Sequence, residues 1–418
     1  MNLLTKLLRH DLIKGSFYLF LGGMAGNFLA FLLNLFLARN LSVTDYGIFA
    51  SLLAIISLAL IPAGSISTII VKFATDYYAQ GKLDKFSSFY NLCAKFLLIF
   101  SITLFAIFCA LTFPISLFLK LDSIWYLVVV GAIVSIVYLS SLNQSFLQSL
   151  LKFPLISVIA VVSSIIKLAA GVLLVYLGFK AYSGLIAIFF MTLGSFLISF
   201  FPLRSFINLK FNQSINLPKK EILSYSVPAF FTMLFLTSFT SIDVILVRHL
   251  FEAKQAGFYA GLSLIGKVIF YFTMPIPSVL FPLLIKRHAI GASYKRLFYL
   301  ALVLVFLPAA LITTFYYLYP QFVITLFLGG REYLEIAKFL GLFGLFLTIF
   351  SMVNVCVNLF LSFNQTKIWL LVIPVAILQI VFIYLYHADF YQIIYVSIFS
   401  SSILLIALLS YYFKKFGI

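Results

Sequence analysis

The sequence predicts an all-α, polytopic membrane protein with about twelve transmembrane helices in two pseudo-symmetric six-helix lobes. Three observations predict it. First, 64% of the 418 residues are hydrophobic and only 9% are charged, against roughly 45–50% and 25% in soluble domains. So few charges cannot cover a water-facing surface of this size, and lipid must receive the remainder. Second, the apolar residues gather in runs of about 20 or more, the length that crosses a hydrocarbon core as a helix. Third, the two halves of the chain repeat one another at an offset of 209 to 210 residues.

Taken in order, the first fourteen residues are polar and basic, with Lys6, Arg9 and Lys14. The apolar run that follows is too long for a secretion-signal core and has no cleavage site, so it is expected to be the first span. Spans are expected at about 15–38, 46–72, 89–113, 123–149, 154–178, 182–204, 222–250, 257–285, 295–319, 335–363, 368–387 and 390–413. Pro154 opens the fifth and Gly178 closes it, while Pro320 and Gly329-Gly330 mark an outer loop. The runs do not alternate and are too long for barrel strands. The expected organisation is a lobe over 1–204, a cytoplasmic linker over 205–221 containing Lys210, Lys219 and Lys220, and a second lobe over 222–418.

Orientation follows from the basic residues. With the N-terminus inside, 18 of the 28 Lys and Arg fall in inner segments and 7 in outer ones. Both termini are therefore expected in the cytoplasm. The net charge of +17 is spread between apolar runs and forms no nucleic-acid patch. The cysteines Cys93, Cys109 and Cys356 form no CxxC pair. The four histidines lack metal spacing, and no dinucleotide, phosphate-loop or nucleophile-elbow motif occurs. No cofactor, no metal and no enzymatic activity are expected.

The repeat is visible residue by residue. Leu37-Ala38-Arg39-Asn40-Leu41 followed by Tyr46-Gly47-Ile48-Phe49-Ala50 matches Leu246-Val247-Arg248-His249-Leu250 followed by Ala256-Gly257-Phe258-Tyr259-Ala260. About a hundred residues later, Gln144, Gln148 and Phe153 match Asn354, Asn358 and Phe363 at the same offset. An even number of helices per half keeps both halves in one orientation, and the space between such halves is a natural substrate path.

Polar residues are costly against lipid, so their spacing marks a sheltered face. The first helix carries Ser16, Gly23, Asn27 and Asn34 on one stripe, and the seventh carries Thr232, Thr240 and Asp243. The fourth carries Ser141, Gln144, Ser145 and Gln148, and the tenth carries Ser351, Asn354, Asn358, Ser362 and Gln365. Such stripes serve either interhelical hydrogen bonds, worth about 0.6 kcal/mol each, or a wet cavity for hydroxyl-rich groups. Lys95, Lys167, Lys267 and Asp243 are charges within spans. Lys95 is near enough to the inner face to snorkel. Lys167 lies roughly 20 Å along its helix, from where snorkelling is difficult. Asp243 and Lys267 lie at similar depth in a hairpin, where an ion pair is geometrically reasonable. A buried cation facing a cavity favours an anion such as a phosphate or diphosphate. The substrate-binding candidates are Asn27, Asn34, Lys167, Thr232, Thr240, Lys267, Asn354 and Asn358.

The stretch from Gly15-Ser16 through Ala38-Arg39-Asn40-Leu41 and Asp45-Tyr46-Gly47-Ile48-Phe49 resembles the opening of the Wzx-type polysaccharide flippases. These belong to the multidrug/oligosaccharidyl-lipid/polysaccharide superfamily. The likeness continues in the length, the twelve spans, the repeat and the Gln148…Lys152-Phe153 end of the fourth span. It implies alternating-access transport of a polyprenyl-diphosphate-linked oligosaccharide for polysaccharide, O-antigen or capsule export. It also implies proton or sodium coupling, for which Asp243 is the candidate, and glycan polymerase or assembly proteins as partners. The chain has few buried cations for a lipid II flippase and lacks two extra helices of that group. Two other readings remain. A multidrug and toxin extruder of the same fold would need several buried carboxylates. A membrane glycosyltransferase or polymerase would need catalytic acids, and the outer Glu332 and Glu335 sit in a short loop.

Overall fold

The computed structural model describes residues 3–204, 219–277, 295–363 and 365–416. Lys210 in the expected linker, and Lys286 and Arg287 beyond the eighth apolar run, lie outside the described residues. Among the described residues every regular element is a helix. Eleven spans are long and apolar enough to cross a membrane, and one bent pair makes a twelfth. The chain is a multi-pass membrane protein.

The described helices fall into two compact units. The first unit comprises residues 1–42 and 59–219, and the second comprises 43–58 and 220–418. This division departs from a simple cut at the linker, because 43–58 packs with the second unit. The first unit holds α1 (Leu3–Asn40), α3 (Ile61–Ala79), α4 (Leu83–Ala110), α5 (Thr112–Phe118), α6 (Trp125–Ser149), α7 (Phe153–Tyr176) and α8 (Tyr182–Phe200). Nearly all of α2 (Val43–Ala59) counts with the second unit, which also holds α9 (Lys219–Ser238), α10 (Ile242–Leu250), α11 (Ala253–Thr273), α12 (Lys295–Leu318), α13 (Pro320–Leu328), α14 (Ala337–Ser362), α15 (Trp369–Leu385) and α16 (Phe390–Phe416).

The repeat seen in the sequence recurs in the packing. In the first unit α1 packs on α7, α3 and α4 on α6, and α8 on both α6 and α7. In the second, α10 packs on α15, α11 and α12 on α14, and α16 on both α14 and α15. Numbered as spans, the partnerships of the first six helices are those of the last six.

Two spans depart from simple rods. The second runs from Val43 to Ala79, longer than the expected 46–72, and changes helix at Leu60, where Pro62 begins a new first turn. The seventh bends by 48° between Ser238 and Ile242. There the chain reads Ser238-Phe239-Thr240-Ser241. Ser238 donates to the Phe235 carbonyl at 2.6 Å and Thr240 to the Thr237 carbonyl at 3.4 Å. Hydroxyls that compete for backbone acceptors in this way favour a helix end over continuation.

The close approach of α2 and α11 explains two glycines that occupy equivalent places in the repeat. A Cβ on Gly47 would stand 2.8 Å from the Gly257 Cα, and one on Gly257 would collide with the Val43 carbonyl oxygen. Glycine at both positions lets the backbones meet directly, as small residues do between membrane helices.

Candidate functional site

The polar residues of the first unit converge on a cavity of about 370 Å³ between α1, α6, α7 and α8. Its position follows from local sequence. Gly23 and Asn27 are one turn apart on α1, so they share a face and both line the space. Nearby, a Cβ on Gly22 would meet Ser157, and one on Gly26 would lie 3.2 Å from the Ser164 hydroxyl. Small residues thus bring α1 and α7 together on either side of the opening. On α7, Ser163 and Ser164 precede Lys167 by four and three residues, which sets all three on one face. All three line the cavity.

Lys167 is 6% exposed and has no hydrogen-bond or ion-pair partner among the described residues. The Ser163 hydroxyl is buried and likewise makes no hydrogen bond. No carboxylate lines the cavity among the described residues. The opposite wall is joined by hydroxyls and amides. Ser140 donates to Ser195 Oγ at 3.1 Å, and Gln144 Nε2 donates to the same oxygen at 3.0 Å, tying α6 to α8. Behind it, Tyr90 donates to Asn143 Oδ1 at 2.9 Å, so the wall is held from α4 as well. A lone ammonium among neutral donors, near the middle of an apolar span, is an arrangement for an anion.

Asn34 belongs to the same stripe as Asn27 yet does not line the cavity. Its amide donates to the Ala30 carbonyl at 3.0 Å. Nearby, a Cβ on Gly171 of α7 would collide with Leu33 of α1, so no room remains between the two helices.

In the second unit the polar residues are distributed differently. Thr232 donates to the Pro228 carbonyl at 2.8 Å, within the turn that follows that proline. Asn358 Nδ2 donates to the Asn354 carbonyl at 2.9 Å, and Ser351 and Ser362 also bond into their own helix. Ser351, Asn358 and Ser362 thus bond within their own helix, and Ser351 also accepts from Thr273 of α11 at 3.2 Å. Asp243 is fully buried in the first turn of α10, where the helix dipole favours a negative charge. Tyr259 of α11 donates to its Oδ2 at 3.0 Å, while Oδ1 accepts no hydrogen bond. The expected Asp243–Lys267 contact is therefore replaced by a tyrosine. Lys267 is half-buried and attracts the carboxylate through space without bonding to it. The physical reason is access: Tyr259 lies two turns nearer the α10 end of the hairpin than Lys267, and its phenol fills the position.

Sequence reasoning missed several participants. Gln379 on α15 is fully buried and donates to the Phe239 carbonyl, exposed by the bend, at 3.2 Å and to Ser397 at 3.2 Å. Thr192 and Ser195 on α8 line the first-unit cavity. Ser163 and Ser164 could have been found from their one-turn spacing to Lys167. Gln379 stands alone in an apolar helix, and nothing local shows what it faces.

A family model described as polysaccharide biosynthesis protein matches residues 36–338. No curated protein matches. Among solved structures, the chain is similar to an inward-facing multidrug resistance MATE family transporter of the MOP superfamily. The TM-score is 0.74 at 11% identity, over 91% of this chain and 93% of the other. It is also similar to the lipid II flippase MurJ in an inward closed conformation, with a TM-score of 0.68 at 18% identity, over 94% and 87%. A third likeness is to the MATE multidrug transporter DinF-BH, with a TM-score of 0.69 at 14% identity, over 96% and 95%. At these identities the likeness is one of fold.

Proposed function

Because the chain belongs to the polysaccharide biosynthesis protein family, we propose that it flips a polyprenyl-diphosphate-linked oligosaccharide across the plasma membrane by alternating access. The observation that carries this reading is the chemistry of the first-unit cavity: hydroxyls, amides and one lysine, with no carboxylate among the described residues. Sugars and phosphates are recognised by such donors. In this reading both termini are cytoplasmic, the polyprenyl chain stays in lipid, and a glycan polymerase receives the product.

Asp243 is the coupling residue of the proposal. It is buried with one oxygen unbonded, and it lies beside a bend whose Phe239 carbonyl is bound by Gln379. A proton or sodium ion arriving at Oδ1 would alter the balance of charge at a break between two half-helices, the place where transporters of this kind hold their ions.

Export of organic cations is the second reading, since solved multidrug transporters share the fold. The sign of the lysine-lined cavity opposes it. The two separate in proteoliposomes that contain a fluorescent polyprenyl-diphosphate oligosaccharide. The flippase reading expects the label to cross the bilayer faster than in protein-free vesicles. No acceleration, together with active efflux of a cationic dye, would overturn it in favour of the exporter.

A further inference from the structure

We infer that the first unit contains, within itself, a binding pocket for a phosphate or diphosphate group, with Lys167 as its charge. The sequence repeat suggests a substrate path flanked by both halves. This pocket is separate in construction, because all its walls come from α1, α6, α7 and α8. The inference rests on the flippase reading only for the identity of the molecule that brings the phosphate.

Three observations point to this ligand. The ammonium of Lys167 is held in a side chain that is 6% exposed, with no carboxylate near it in the cavity among the described residues. A charge kept in the membrane interior needs a counter-charge or hydration, so an arriving anion gains the full interaction. Next, donors without partners surround it. The buried Ser163 hydroxyl makes no hydrogen bond, and Asn27 at the rim makes none among the described residues. Ser164 completes a set that can reach several oxygens of a tetrahedral group from two helices. Third, the size suits the group. A volume of about 370 Å³ corresponds to on the order of a dozen waters, which accommodates a diphosphate.

Among the described residues, no lysine stands at the matching place in the second unit. At the repeat's offset of 209 to 210, Lys167 falls on Ala376 or Ile377 of α15. At the place of Lys167 the duplication is therefore asymmetric: a lysine in the first unit, an apolar residue in the second.

The test measures binding of inorganic diphosphate and of farnesyl diphosphate to the full-length protein in detergent, by calorimetry. Wild type should bind, Lys167→Met should weaken binding at least tenfold, and Lys167→Arg should retain most of it. Ser163→Ala should weaken it by a few-fold, and Ile377→Ala should leave it unchanged. Tighter binding of farnesyl diphosphate than of the free anion supports a lipid-borne phosphate; equal binding supports a soluble one, and both uphold the pocket. Equal binding by wild type and Lys167→Met, with both proteins monodisperse and alike in thermal midpoint, overturns it. If Lys167→Met does not fold, the Ser163→Ala and Lys167→Arg affinities decide, and identity of both with wild type overturns the pocket. Failure of the two readings is distinguishable. Lys167-dependent diphosphate binding without any flipping of lipid-linked oligosaccharide removes the flippase and leaves the pocket. Flipping that is unaffected by Lys167→Met removes the pocket and leaves the flippase.

Discussion

The fifth and eleventh spans, α7 and α15, hold equivalent places in the two units and do opposite work. The α7 helix turns Ser163, Ser164 and Lys167 toward a cavity. Its counterpart α15 is apolar through Pro374, Val375, Ala376 and Ile377, and its single buried amide, Gln379, bonds to a carbonyl that the bent seventh span exposes. The second unit keeps buried charges on α10, as Asp243 and Arg248, and a half-buried Lys267 on α11. Pairing of the helices is shared between the units, whereas the placement of charge is not. Packing can be inherited through duplication because any apolar face of similar volume fills it. A buried charge needs its own surroundings and cannot be copied without them.

Moving the charge is the strongest way to break this comparison. The exchange Lys167→Ile with Ile377→Lys should lower flipping by about 10- to 100-fold, on the scale of a lost charged hydrogen bond. Ile377 is 47% exposed to the surroundings of the helix, so a lysine there should not restore activity. Recovery of flipping in the exchanged protein would show that the two sites are interchangeable.

A second experiment concerns the other unit. Asp243→Asn keeps the shape and the Tyr259 hydrogen bond but cannot carry a negative charge. Flipping driven by an ion gradient should fall to the rate without a gradient, while that basal rate persists. Stimulation by the gradient equal to wild type would remove Asp243 from coupling.

The meeting of α2 and α11 allows a purely steric test. Gly257→Ala places a methyl against the Val43 carbonyl and should cost about 1–3 kcal/mol, read as a lowered thermal midpoint in detergent. Gly64→Ala, where nothing lies within 4 Å, is the matched control and should change little. The smallest effect belongs to the α14 stripe. Asn358→Ala removes a bond to its own helix and should cost about 0.6 kcal/mol; a loss of flipping as large as that from the lysine exchange would place this stripe in the site.

The sequence by itself determined the class of protein, the spans and the presence of a repeat. These depend on length, hydropathy and offset, which are one-dimensional quantities. It also placed Lys167 far along its span, where snorkelling is difficult. It could not tell Asn27 from Asn34, because both lie on one stripe seven residues apart. Tertiary structure decided between them: α1 and α7 close together at Leu33 and Gly171, and stand open at Asn27. Nor could it show that Asp243 meets Tyr259 and not Lys267, that Gln379 bonds at a bend 140 residues away, or that 43–58 packs with the second unit. Periodicity shows which residues share a face. What that face meets depends on how closely the neighbouring backbones approach, and that distance is set by side chains far away in the chain.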